Sequence, residues 1–155
     1  MTNLLEAASP DARSMAQSGP GQLLIELDLS AKSIHHAKTI AMENVRLWGL
    51  DELAPDIGLS VAELLTNVMR HAAPAVEDGG LKAGHCLVQR VAGGVVVVVH
   101  DDDPGLPQER DADPDSVDGR GLILVRALAA NVIVVPSPTG KDIVAVFMSP
   151  GPAAP

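Results

Sequence analysis

The sequence predicts an α/β two-layer sandwich, in which a mixed, mostly antiparallel sheet is covered on one face by about three helices. Three observations carry this expectation. Apolar periodicity changes along the chain in the order strand, two helices, two strands, long loop, helix, two strands. The run Val95–Val99 is five consecutive valines, the composition of a central strand buried on both faces. Val61, Leu64, Leu65, Val68 and Met69 fall at helical spacing and define one buried stripe on the helix that precedes the strand pair. With 155 residues, no internal repeat and no composition break, the chain is long enough for one sizeable core.

Each element follows from local signals. Residues 1–20 are rich in Ser, Ala, Gly and Pro and are expected to form a disordered tail, with the domain spanning 21–148 and a second disordered tail at 149–155. Gln22–Leu29 alternates apolar and polar residues and reads as a first strand at a sheet edge. Ser30 is an N-cap for a helix whose stripe is Ile34, Ala37, Ala41, Val45 and Trp48, and Gly49 closes it. Pro55 fits the first turn of the next helix, which runs to about Ala72. Strands His85–Val91 and Val95–His100 are joined by Ala92-Gly-Gly94, a hairpin signal. Asp101 to Gly119 is a long loop carrying eight carboxylates. A helix from Gly121 to about Ala130 and strands Val132–Val135 and Asp142–Met148, joined through Ser137–Lys141, complete the chain.

Composition narrows the function. Phe and Trp occur once each and Tyr is absent, so the core is built from Val, Leu, Ile, Ala and Met. A net charge of −9 argues against nonspecific binding to nucleic acid or to an anionic membrane surface. The single cysteine, Cys86, has no partner for an internal disulfide, which points to a reducing cytoplasm. The N-terminal stretch lacks a basic start and apolar core, and no segment is apolar enough to span a bilayer.

Three stretches carry residues suited to chemistry. On the central helix, Glu63 and Asn67 are four apart, followed by Arg70 and His71, so a carboxylate, a carboxamide and a basic group share one face. A carboxylate can accept a proton, and an amide oxygen is a hard ligand suited to Mg²⁺. Asp101 ends the valine strand, where it can accept a hydrogen bond from an exocyclic amine, and Gly105 would let the backbone approach a flat ligand. Gly119-Arg-Gly121 opens an apolar helix, an arrangement that offers backbone N–H groups to phosphate. Rival motifs fail. A calcium loop starting at Asp101 lacks oxygen ligands at Gly105 and Ala112. Gly119-Arg-Gly121 lacks the third glycine and preceding strand of a dinucleotide fingerprint, and Gly140-Lys141 lacks the hydroxyl residue and upstream glycine of a Walker A loop. His35 and His36 point apart on a helix and read as surface residues rather than metal ligands.

Taken together, Val61–Ala72, Val95–Pro107, Asp118–Leu128 and Gly140–Phe147 resemble, in order and spacing, the ATP-binding domain shared by gyrase-type topoisomerases, heat-shock chaperones and sensor histidine kinases. The closest likeness is to its stand-alone bacterial branch, the anti-sigma-factor serine kinases and regulatory ATPases. The resemblance implies ATP and Mg²⁺ as ligands, a long ATP lid over residues 101–119, and a sigma factor or an antagonist of the anti-sigma factor as partner, with a homodimer as one possible assembly. By the same resemblance Glu63 would be general base, Asn67 would hold Mg²⁺, and Asp101 would bind the adenine amine. His71, Gly105, Gly119, Arg120, Gly121, Leu122, Lys141 and Asp142 would line the nucleotide site. A degenerate, non-catalytic binding module is the alternative. The sequence departs from the family pattern at Asp103, at Asn131-Val-Ile133 and at Asp142, which stands where Thr is common. Asp142 is expected beside Asp101, where two carboxylates would repel.

Overall fold

A computed structural model describes residues 3–6, 14–71, 82–103 and 117–150. Among the described residues seven strands form one sheet: β1 (Asn3–Glu6), β2 (Ser14–Gly19), β3 (Gln22–Asp28), β4 (Ala83–Val91), β5 (Gly94–Asp101), β6 (Asn131–Ser137) and β7 (Gly140–Met148). Their spatial order is β1-β2-β3-β4-β5-β7-β6, and where a mixed, mostly antiparallel sheet was expected every pairing among the described residues is antiparallel. Helices α1 (Ala31–Leu47), α2 (Ala54–His71) and α3 (Val117–Leu128) lie together on one face, with α2 in the middle against α1, α3, β4 and β5. A short 3-10 turn, Asp51–Leu53, leads into α2.

The helix starts and stops have the expected chemistry. Ser30 Oγ accepts from the Ser33 amide at 3.0 Å, and Ser33 Oγ accepts from the Ser30 amide at 3.0 Å, a reciprocal cap that satisfies two otherwise unpaired donors. Gly49, with φ of +78°, takes the left-handed turn after α1 that a side chain would disfavour. Ile34, Ala37, Ala41 and Val45 are buried as the stripe required. At Gly58 a Cβ would collide with the Met42 side chain, so the missing side chain permits close approach of α2 to α1.

Two expectations about the sheet are revised. Residues 14–19, placed in a disordered tail by composition, form β2 and pair along the whole of β3, so β3 is an interior strand and not an edge. Among its described side chains Ala16 is the buried one; Asn44 Nδ2 donates to Ser18 Oγ at 3.2 Å, and the rest of the strand is held by main-chain pairing, which composition does not reveal. The valine run is central, but only Val95, Val97 and Val99 enter the core, while Val96 and Val98 are half-buried on the face without helices. Strand parity therefore assigns odd residues of β5 to the helix side and even residues to the open side. The same parity holds in β7, where Lys141, Ile143, Ala145 and Phe147 are buried and Asp142, Val144 and Val146 are partly exposed. The last strands are also longer than expected, and α3 begins four residues early and ends at Leu128.

Candidate functional site

Helix α2 presents Glu63 and Asn67 one turn apart, both half-buried. Thr66 between them returns its hydroxyl to the Ala62 carbonyl at 2.7 Å and is thereby removed from the site. Asn67 Oδ1 is shielded from solvent and has no hydrogen-bond partner among the described residues. A buried amide oxygen left unmatched costs about 1–3 kcal/mol unless something satisfies it. A hard cation such as Mg²⁺ would do so, which makes Asn67 fit the metal role by its own structure. Among the described residues no group of three or more His, Cys, Asp or Glu is arranged to hold a metal. On α1 His35 is exposed and His36 is half-buried. Arg70 is exposed, and the His71 side chain lies outside the described residues, as does Gly105.

Asp101 closes β5 on the helix side and is 3% exposed. Its Oδ1 accepts from the Asp103 amide at 2.9 Å, and its Oδ2 lies 3.5 Å from Lys141 Nζ. Lys141 is equally buried and donates to the Asp103 carbonyl at 2.6 Å. These contacts arise because Asp101 and Lys141 are register partners on β5 and β7. Gly140 makes the approach possible. Its φ is +140°, and a Cβ there would strike the Asp101 carbonyl oxygen. Lys141 was expected in the site without a defined contact, and it proves to be the counter-cation of Asp101.

Asp142 is where the sequence reading fails. It pairs in register with His100, on the open face, and does not sit beside Asp101. Asp142 Oδ1 is 2.8 Å from His100 Nδ1, while Asp102 Oδ1 is 3.0 Å from His100 Nε2. Hydrogen bonding to Asp142 is the main cause that raises the His100 pKa above its ordinary value, against a lowering contribution from burial. The expected repulsion between Asp101 and Asp142 is replaced by two ion pairs at consecutive register positions, one on each face. A one-residue change in parity accounts for the error. Leu122 is 5% exposed and packs in the hydrophobic core. Gly119, Arg120 and Gly121 lie inside the start of α3 and not before it. The Gly119 and Arg120 amides are among the first four of the helix, which have no acceptor within it.

The sequence profile of the histidine kinase-like ATPase domain matches residues 27–147. This chain belongs to that family. The match runs from the end of β3 to the end of β7 and takes in α2, Asp101 and the segment leading into α3. A search of curated proteins gave no significant match. A histidine kinase-like ATPase domain binds ATP, usually with Mg²⁺, which places nucleotide recognition among the functions of this chain. None of its described helices is long and apolar enough to cross a membrane.

Proposed function

We propose that the chain is a regulatory ATP-binding protein of the anti-sigma serine-kinase type, which transfers the γ-phosphoryl group of ATP to a serine of an antagonist protein and thereby controls a sigma factor in the cytoplasm. The observation that carries this reading is the Glu63–Asn67 pair on α2, a half-buried carboxylate one turn from a buried amide oxygen that has no partner among the described residues. Asn67 Oδ1 would be the protein ligand to Mg²⁺, which supplies charge neutralisation on the phosphates. Asp101 would accept from the exocyclic amine of adenine, sharing its carboxylate with Lys141 and the Asp103 amide. The amides at the start of α3 would meet the phosphates. In the transfer step the serine oxygen forms a bond to Pγ as the bond from Pγ to the β,γ-bridging oxygen breaks. Glu63 accepts the serine proton, and ADP departs.

Incubation with γ-labelled ATP and a candidate antagonist tests the reading. Glu63→Gln keeps size and hydrogen-bonding capacity but removes the base, so nucleotide binding should persist while transfer falls by about 10²–10⁴-fold. Unchanged transfer would reduce Glu63 to a surface carboxylate.

A second reading is supported by Asp101. Both of its oxygens already have donors from the chain itself, an arrangement suited to a non-catalytic nucleotide-binding or interaction module of the same fold. Binding of Mg·ATP without label transfer to any partner would favour it.

A further inference from the structure

The open face of the sheet carries a lateral row of ionisable residues at the end of the strands where Asp101 lies. Register pairs run Glu26 to His85, His85 to His100 and His100 to Asp142, so β3, β4, β5 and β7 each contribute one member. His100 is the centre of this row. Asp142 on β7 holds Nδ1 at 2.8 Å, and on the other side of the ring Asp102 holds Nε2 at 3.0 Å. Thr139, in the turn between β6 and β7, lies 3.3 Å from Nε2, and Lys82, just before β4, reaches Asp102 at 3.9 Å. His85 faces His100 from β4 and Glu26 stands beyond it, while β6 contributes only Val135 next to Asp142. Two carboxylates on opposite ring nitrogens match an imidazolium, since both nitrogens then donate.

Asp102 is also the middle residue of the turn that Asp101 and Asp103 close by their 2.9 Å bond. A cation that holds Asp102 to β7 fixes that turn from the opposite face. We propose that His100 is a positioning residue for the nucleotide site: held between Asp142 and Asp102, it keeps the Asp101–Asp103 turn in the conformation that presents the Asp101 carboxylate to the base. This rests on the reading of Asp101 as base acceptor. It also reverses the effect expected of Asp142, whose loss should weaken nucleotide binding rather than relieve a repulsion.

The sign of the pH dependence follows from the direction of the shift. The native His100 pKa lies above the ordinary value of 6.5. The clamp is therefore complete below that value and is lost as the pH rises through the native one.

The test is calorimetric binding of Mg·ADP from about pH 5.5 to about pH 8, on wild type, His100→Gln and Asp142→Asn. Ionisation of the ADP phosphates is common to all three proteins and cancels in the comparison. Wild-type affinity should fall by about fivefold more across this range than that of His100→Gln. Asp142→Asn, which leaves the histidine in place, should bind about as weakly at low pH as His100→Gln does. Parallel profiles for the three proteins would overturn the proposal while leaving nucleotide binding intact. Hydrogen-exchange protection of the Asp103 amide, corrected for intrinsic rates, needs no ligand. It should be lower in both variants than in wild type at low pH, and equal protection in all three would overturn the clamp. An absence of Mg·ADP binding at every pH would remove the reading of Asp101, and Asp103 protection would then decide whether His100 fixes the turn.

Discussion

Replacing Lys141 by Met keeps the aliphatic stem and deletes only the ammonium, so it isolates the charge opposite Asp101. Both side chains of the pair are about 4% exposed, which leaves little water to take over when one partner is lost. Removing one member of a buried pair typically costs about 3–5 kcal/mol, because the survivor is left buried and uncompensated. The same change also deletes the 2.6 Å bond from Nζ to the Asp103 carbonyl. The Asp103 amide still serves Asp101 Oδ1, so the low end, about 3 kcal/mol, is the expected loss. For a domain of this size that corresponds to a melting point lower by about 10 °C. Asp101→Asn combined with Lys141→Met removes both charges and should lose less than Lys141→Met alone. The coupling in the double-mutant cycle should be about 2 kcal/mol. Urea unfolding of the four proteins measures it. Strictly additive effects, or a loss below about 1 kcal/mol in Lys141→Met, would show that the two groups do not stabilise each other and would refute the electrostatic account of this strand end.

Asn67→Ala removes a buried amide oxygen that has no partner among the described residues, so stability should not fall and should rise by up to about 1–3 kcal/mol in urea unfolding, while the difference in ADP affinity with and without Mg²⁺, read by calorimetry with and without a chelator, disappears. Gly140→Ala forces a side chain into a φ of +140° and against the Asp101 carbonyl, and should cost about 2 kcal/mol in urea unfolding and weaken ADP binding in the same variant. Cys86 is fully buried and its thiol is pushed up to about 12 by burial, so alkylation by iodoacetamide should be negligible in the native state and should track the unfolding curve.

The α2 stripe, the Ser30 cap and the β4–β5 hairpin were legible in sequence because each is fixed by side chains or glycines within one element. Strand β2 was not, because its sequence SMAQSG has neither alternation nor β-branched residues and is ordered by the backbone of β3. The valine run marked β5 as central, yet valine on the open face reads the same as valine in the core. Only the absence of a second helical layer separates Val98 from Val97. Glu63 and Asn67 could be placed on one face from their spacing, since helical period is a local property. The partners of Asp101 and Asp142 could not, because they depend on the register of β7 against β5, which is set by contacts far apart in the chain.

That register also resolves an electrostatic difficulty. Asp101, Asp102 and Asp103 are three consecutive carboxylates in a chain of net charge −9, next to the site proposed for an anionic nucleotide. Alternation sends Asp101 to the helix side, where Lys141 meets it, and leaves Asp102 within reach of His100 and Lys82 on the other side. Asp103 contributes its backbone, with its amide given to Asp101 and its carbonyl to Lys141. The cations therefore serve to make a carboxylate-rich turn tolerable, and they are not available as a general attraction for phosphate. On the proposed reading, nucleotide charge would be met by Mg²⁺ at Asn67 and by the amides of α3. On that reading, raising salt should weaken Mg·ADP binding far less than removing Mg²⁺ does, because the Lys141–Asp101 pair that holds the base acceptor is shielded from screening by burial. A steep salt dependence in the presence of saturating Mg²⁺ would instead place exposed cations at the phosphates and contradict this division of charge.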